Sequence, residues 1–144
     1  MNFIILIDTR EKHPWGFPPD VMVEPRKLSA GDYSLDGFEN RLSIERKTLD
    51  DFVQTVIHEK ERFRNELLQL QKMEFACVVI EADVRDVFNR RYRCNVNPKS
   101  VIGAANAITA DYGIPVLFWG TRQHCCCLVE NLLRQLLKRF ERNK

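Results

Sequence analysis

The residues most suited to chemistry lie at the end of a strand-like segment, Arg41–Lys47, which reads RLSIERK. Leu42 and Ile44 alternate with polar residues, as they do on a half-buried strand. Successive strand side chains point to opposite faces, so Glu45 and Lys47 share one face and Arg46 lies on the other. A carboxylate beside an ammonium group at a strand end is either a solvated ion pair or part of an active site.

Two more carboxylates are predicted to lie near this strand end. Asp8 closes the apolar run FIILID, and Asp32 belongs to the segment AGDYSL. The Asp36-Gly37 turn signal predicts a hairpin that places Asp32 next to Glu45. The ends of neighbouring strands meet at one edge of an α/β sheet, so Asp8 is expected there too. The sequence therefore predicts a pocket that contains Asp8, Asp32, Glu45 and Lys47.

Three carboxylates in one pocket repel each other unless a cation joins them. Oxygen ligands favour a hard divalent ion, Mg²⁺ or Mn²⁺, which often completes its coordination with phosphate oxygens. Lys47 could orient the attacking water or neutralise a phosphate oxygen. The pattern is therefore typical of phosphodiester hydrolysis. The alternative is a solvated strand end, where a Glu45–Lys47 ion pair would add little stability.

Apolar periodicity predicts an α/β fold with a central mixed sheet and helices on its faces. Strands are predicted at 3–8, once or twice within 21–35, and at 41–47, 75–82 and 114–120. Helices are predicted from Thr48 to about Lys72, at 98–112 and at 127–140, while 83–92 is a short helix or an ordered loop. Thr48 and Asp51 have the spacing of an N-cap and its partner at the start of the first helix.

Length and composition limit the number of domains and the classes of partner. The chain has 144 residues, which fits one domain. Its net charge of +2 gives no overall basic surface of the kind that alone indicates a nucleic-acid-binding protein. Five cysteines, with a triplet at Cys125–Cys127 beside His124, indicate neither a disulfide framework nor a zinc site. The N-terminal apolar run is too short for a signal peptide or a membrane span, so we expect a cytoplasmic or nuclear protein.

Three ordered motifs resemble those of the XPF-type nuclease domain, a branch of the PD-(D/E)xK nuclease superfamily. They are Asp8-Thr9-Arg10-Glu11, Gly31-Asp32-Tyr33, and Glu45-Arg46-Lys47 followed by Asp51. The later segments ERFRNELLQLQK, FACVVIEAD and AITADYGIPVLFWGT are also similar to the family. The resemblance therefore covers nearly the whole chain and implies a single XPF-type nuclease domain over residues 1–144.

The resemblance implies a restriction-endonuclease-like fold, in which a central mixed β-sheet is flanked by α-helices. It implies an endonuclease that cuts branched or flap DNA in repair or recombination, with Mg²⁺ or Mn²⁺ as cofactor. Asp8, Asp32 and Glu45 would hold the metal, and Lys47 would act at the attacked phosphate. Support or DNA contacts would come from Arg10, Glu11 and Arg46.

Further DNA contacts are expected from exposed arginines. Arg62 lies where the resemblance continues, although a solvated helix face with an Arg62–Glu66 pair is equally compatible with its spacing. Arg91 and Arg93 belong to RDVFNRRYRCN, the most basic stretch of the chain, which could follow a phosphate backbone or form an ordinary exposed loop.

Partners and alternatives remain open at this point. DNA is the expected partner, with a homodimer or heterodimer as a further option, and neither a membrane nor a small-molecule cofactor is expected. Family members that cut branched DNA usually carry a helix-hairpin-helix domain after the nuclease domain, and none follows here. We therefore expect an isolated domain or a small nuclease recruited by another protein. The alternatives are a catalytically silent DNA-binding module, a resolvase or restriction-type nuclease, and an interaction domain that dimerises through the apolar stripe at 132–140.

Overall fold

A computed structural model describes residues 2–143 and shows one mixed six-stranded sheet. The strands are β1 (Ile4–Asp8), β2 (Met22–Arg26), β3 (Tyr33–Leu35), β4 (Leu42–Lys47), β5 (Phe75–Ile80) and β6 (Val116–Phe118). Their order across the sheet is β2-β1-β3-β4-β5-β6. β3 is antiparallel to both of its neighbours and every other pairing is parallel. The predicted α/β fold with a mixed sheet is confirmed.

Five helices flank the sheet: α1 (Leu49–His58), α2 (Lys60–Gln71), α3 (Val84–Phe88), α4 (Pro98–Tyr112) and α5 (Arg122–Arg142). Two separate apolar cores result. One forms between the sheet and α5, and the other joins α1, α2, α3 and α4 to the sheet. The parallel strands β1, β4 and β5 end at the same edge of the sheet, so the residues at their carboxyl ends are brought together.

The prediction of one long helix from Thr48 to Lys72 is wrong. The helix breaks at Glu59, whose backbone has φ −126° and ψ 39°. In a continuous helix Phe52 and Phe63 would lie about 16 Å apart along the axis. Here their rings pack edge to face with centroids 6.4 Å apart. Burial of both phenylalanines therefore favours two shorter helices over one, because the bend brings both side chains into the same core.

The remaining helix boundaries follow recognisable signals. Thr48 accepts a hydrogen bond from the Asp51 amide at 3.1 Å, so the predicted N-cap is present. α4 ends at Gly113 in the left-handed conformation, with φ 69°. α5 begins at Arg122, five residues earlier than predicted, because Thr121 caps it by accepting from the His124 amide at 3.1 Å.

The C-terminal apolar stripe belongs to the core and not to a free surface. Leu133, Leu136, Leu137 and Phe140 are buried against the sheet, and Leu132 packs beside them. This finding removes the basis for an interaction domain that dimerises through this stripe. Cys125 and Cys126 are buried in the same helix while Cys127 is exposed, and all five cysteines are free thiols.

Within residues 2–143 no helix combines the length and the apolar character that crossing a bilayer would need.

Candidate active site

The three predicted carboxylates line one pocket of about 240 Å³. Hydrogen bonds of the backbone bring them together at the edge of the sheet. The Asp8 amide donates to the Asp32 carbonyl at 2.8 Å, and the Asp32 amide donates to the Ile44 carbonyl at 2.8 Å. Asp32 therefore lies between the end of β1 and the end of β4, next to Glu45, as the hairpin argument predicts.

Gly31 makes this arrangement sterically feasible. Its φ is 74°, a conformation that side chains other than glycine's rarely adopt. A Cβ atom placed there would lie 1.8 Å from the Ser43 hydroxyl oxygen. That hydroxyl in turn donates to the Ala30 carbonyl at 2.8 Å and fixes the turn before Asp32. The Gly-Asp sequence is thus a backbone requirement as well as a source of a carboxylate.

Asp32 and Glu45 form a close pair of carboxyl groups. One Asp32 carboxylate oxygen accepts a hydrogen bond from the Arg46 amide at 2.8 Å, which fixes its orientation. Burial raises the pKa of Glu45 well above its ordinary value, and the contact with Asp32 raises it further, while the charge of Lys47 opposes both. A buried carboxyl that shares a site with another carboxylate gains from any added positive charge.

Asp8 is buried and is held by Arg10. Arg10 donates from Nε to one Asp8 oxygen at 2.9 Å and from its terminal nitrogen to the other at 3.3 Å, and the Leu28 amide donates at 2.8 Å. Burial alone would raise the pKa of Asp8, but the hydrogen bonds from Arg10 and Leu28 outweigh it and keep the pKa below its usual range. The Asp8 carboxylate is therefore ionised, and the charge of Arg10 balances it.

Lys47 lies near Glu45 but does not line the pocket. Its ammonium group sits 5.3 Å from the centre of the Phe63 ring, a cation–π distance. The structure thus places three of the four predicted catalytic residues around one cavity, with the fourth beside it. Because Phe63 lies on α2, the position of Lys47 depends on the break between α1 and α2.

Two pocket residues, Glu66 and Gln69 on α2, were not predicted. Glu66 is near enough for its charge to contribute to the raised pKa of Glu45. Its carboxylate also lies 3.9 Å from Arg62. The sequence offered a signal, since residues three apart share a helix face. Assigning that face to the pocket required knowledge of the bend at Glu59.

The donor set suits a hard divalent cation, since the pocket presents carboxylate oxygens and contains the close Asp32–Glu45 pair. Within residues 2–143, however, no three His, Cys, Asp or Glu side chains already converge on one point as a metal cage does. Both Asp8 oxygens already accept hydrogen bonds from Arg10. A metal held by all three acids would therefore compete with Arg10 for Asp8.

Glu11 and Arg46, both predicted as supporting residues, lie on the other face of β4. Arg46 lies 3.6 Å from Glu11 and 3.4 Å from Glu81, and these three side chains are at most 9% exposed. Glu81 also accepts from the Trp15 indole at 2.8 Å and from Arg122 at 3.0 Å. The network ties the loop after β1 and the start of α5 to the end of β4.

The three predicted DNA-contacting arginines are exposed, and each has an acidic neighbour. Arg62 lies 3.2 Å from Glu59, Arg91 lies 2.7 Å from Asp86 and Arg93 lies 3.5 Å from Asp50. Exposed pairs of this kind are weak and could exchange for phosphate. Their role in DNA binding remains a prediction.

The chain matches the sequence model of a known family. The sequence model of the ERCC4 domain matches residues 7–141, which is nearly the entire chain. The chain belongs to the ERCC4 domain family. This assignment and the structural matches below confirm the resemblance to XPF-type nuclease domains that the three motifs carry.

Individual relatives of the ERCC4 domain are longer proteins. The chain is 31% identical over 115 residues to a Methanocaldococcus jannaschii protein named as an ATP-dependent RNA helicase, which covers 79% of this chain and 13% of that protein. It matches XPF from Aeropyrum pernix with a TM-score of 0.71 and 25% identity, over 92% of this chain and 60% of that one. XPF from the same organism in complex with DNA matches in fold, with a TM-score of 0.69 and 24% identity, over 96% of this chain and 66% of that one.

Proposed function

We propose that this ERCC4 domain is a metal-dependent DNA endonuclease that hydrolyses phosphodiester bonds in branched or flap DNA. The observation that carries the proposal is the pair of half-buried carboxyl groups of Asp32 and Glu45, which line one pocket with the buried Asp8 at the sheet edge where the family motifs meet. Two adjacent carboxyl groups cannot both ionise easily without a cation between them. Its presence is better explained by a metal site than by stability.

The cofactor we propose is Mg²⁺ or Mn²⁺, held by Asp8, Asp32 and Glu45. When bound, the ion would activate a water and stabilise charge on the phosphate in the transition state. The chain's own contribution is orientation. The Arg46 amide fixes one oxygen of Asp32, and the backbone bonds of Asp32 to β1 and β4 fix the separation of the acids.

Lys47 is proposed to neutralise the attacked phosphate. Its charge already acts on Glu45, so it lies within electrostatic reach of the pocket. Its cation–π contact with Phe63 restrains the flexible side chain on the pocket side of β4. Arg10 would have a related role, because its exposed guanidinium group, now paired with Asp8, could also bind a phosphate oxygen.

The test is cleavage of labelled 3′-flap, four-way-junction and fully paired DNA with Mg²⁺ or Mn²⁺, with EDTA as control. We expect cutting near the flap branch point, dependent on the ion and faster than cutting of paired DNA. Preference for the four-way junction would instead support a resolvase. Intact substrates under all ionic conditions would contradict the proposed activity.

A second candidate is a catalytically silent DNA-binding module. The Arg10–Asp8 contact favours it, because it neutralises one of the three acids without a metal. The two functions are separated by one comparison. Binding of flap DNA without cleavage in Mn²⁺ supports the silent module, whereas cleavage that needs Mn²⁺ excludes it.

A further inference from the structure

The helix α3 exposes two apolar side chains to solvent. Val84 is 44% exposed and Phe88 is 59% exposed, the highest value among the exposed large hydrophobic residues of 2–143. The two residues are four apart, so they lie on the same side of the helix. Exposure of a phenylalanine gives up the stabilisation that its burial would supply, which makes this surface a candidate for contact with a partner.

The chain around Phe88 is basic. Residues 83–93 contain four arginines and two aspartates, so this segment alone has an excess of two positive charges, equal to that of the whole chain. Arg85 and Arg91 face Asp83 and Asp86, and Arg93 faces Asp50. Arg90 is exposed and has no ion pair with any residue of 2–143.

The backbone at Arg90 is strained. Its φ is 54°, and no other non-glycine residue within 2–143 has a positive value. Hydrogen bonds hold this conformation, because the Arg90 amide donates to the Val87 carbonyl at 3.0 Å and the Arg91 amide to the Asp86 carbonyl at 2.9 Å. Such outliers concentrate at functional sites, where the surrounding structure maintains them. The turn places Arg90 two residues after the exposed Phe88.

This surface lies at the same edge of the sheet as the pocket. α3 begins four residues after β5 ends at Ile80, and β5 is parallel to β4, with Lys47 in register with Ile80. The Arg93 amide donates to Asp50 in the first turn of α1 at 2.8 Å. That contact ties the loop after α3 to the helix that follows Lys47. The topology therefore places α3 and the pocket at the same edge of the sheet.

We propose that Phe88, flanked by Val84, stacks against an unpaired base of DNA beside a branch point while Arg90 contacts the adjacent phosphate. An aromatic face accepts any base, and a nearby cation follows the backbone, which is how single strands are bound without sequence preference. The inference deepens the proposed function, on which it rests for DNA as the ligand. It assigns the recognition of the unpaired segment to α3 and the cutting to the pocket.

The test measures DNA binding in Ca²⁺, so that its result does not depend on cleavage. Forked DNA with 2-aminopurine at the first unpaired position and a fully paired duplex are titrated with the intact protein, Phe88→Ala and Phe88→Trp. We expect Phe88→Ala to weaken binding of the fork about tenfold, leave duplex binding unchanged and lose the quenching of 2-aminopurine by stacking. Phe88→Trp should retain both binding and quenching.

The matched control is Met22→Ala. Met22 is 58% exposed, like Phe88, but it begins β2 in register with Ile4, at the opposite end of the sheet from Asp8. Its replacement should change neither binding nor fluorescence. Fork binding by Phe88→Ala within about twofold of the intact protein, or an equal loss for fork and duplex, would overturn the inference.

Failure of the inference is distinguishable from failure of the proposed function. If the intact protein discriminates fork from duplex through Phe88 but does not cut in Mg²⁺ or Mn²⁺, the stacking role of Phe88 is supported and the proposed nuclease activity is overturned. If the protein cuts flap DNA and Phe88→Ala binds the fork normally, the nuclease activity is supported and the stacking role is overturned. Absence of any fork binding by the intact protein overturns the inference as well.

Discussion

At the scale of single residues, Gly31 is the position where backbone geometry and chemistry depend on each other most directly. Gly31→Ala should destabilise the protein by about 3 kcal/mol, because alanine is strained at positive φ and its Cβ would collide with the Ser43 hydroxyl. Urea unfolding measures the loss. Gly103→Ala is the control: nothing lies within 4 Å of its Cβ position in α4, so it should stabilise by about 0.5–1 kcal/mol. Equal effects of the two changes would contradict the role given to Gly31.

The ionised Glu45 side chain should destabilise the metal-free protein at neutral pH. Burial raises its pKa in the folded state, so the unfolded chain releases this proton more easily and the stability contributed by Glu45 falls as pH rises above about 4.3. Glu45→Gln cannot ionise. We expect it to unfold at a higher temperature than the intact protein at pH 7 in EDTA, with the difference shrinking toward pH 4. If Glu45→Gln gained less stability over the intact protein at pH 7 than at pH 4, burial would not penalise the ionised form of Glu45.

At the scale of elements, the buried network behind β4 holds the strand end in place. Glu81 is central, because Arg46, Arg122 and the Trp15 indole all converge on it. Glu81→Gln should lower the free energy of unfolding by roughly 3 kcal/mol, since it leaves the buried Arg46 with too little negative charge. Arg85→Ala, which breaks an exposed pair, is the control and should change stability by less than about 0.5 kcal/mol. Urea unfolding of both variants checks this, and similar values for the two would contradict a structural role for the network.

The same elements show what the sequence could and could not predict. Strand order along the chain, the hairpin beside Asp32 and the cap at Thr48 were predictable, because each depends on local periodicity or turn chemistry. The break at Glu59 was not, because the apolar spacing from Val56 to Phe63 fits a continuous helix as well. Glu66 and Glu81 were missed for a related reason. Their roles depend on packing between distant segments, which no local pattern encodes.

At the scale of the whole molecule, the mixed sheet brings three motifs from the first 51 residues to one edge, and the later helices support that edge. The ERCC4 domain model matches residues 7–141, and the chain spans only part of the length of the relatives that it matches. Dimer formation remains a prediction, and a mass from light scattering would test it. The described residues place the apolar stripe of α5 in the core, so a dimer would have to use another surface.

Cleavage by active-site variants tests whether Asp32 and Glu45 support hydrolysis of DNA. Flap DNA is incubated with Mn²⁺ and the intact protein, Asp32→Asn or Glu45→Gln, each checked for folding, with Met22→Ala as a control outside the site. We expect both site variants to cut at least about a hundredfold more slowly, because each loses a charge that would position the metal, while Met22→Ala cuts normally. Cleavage at the intact rate by either folded site variant would rule out the proposed metal site.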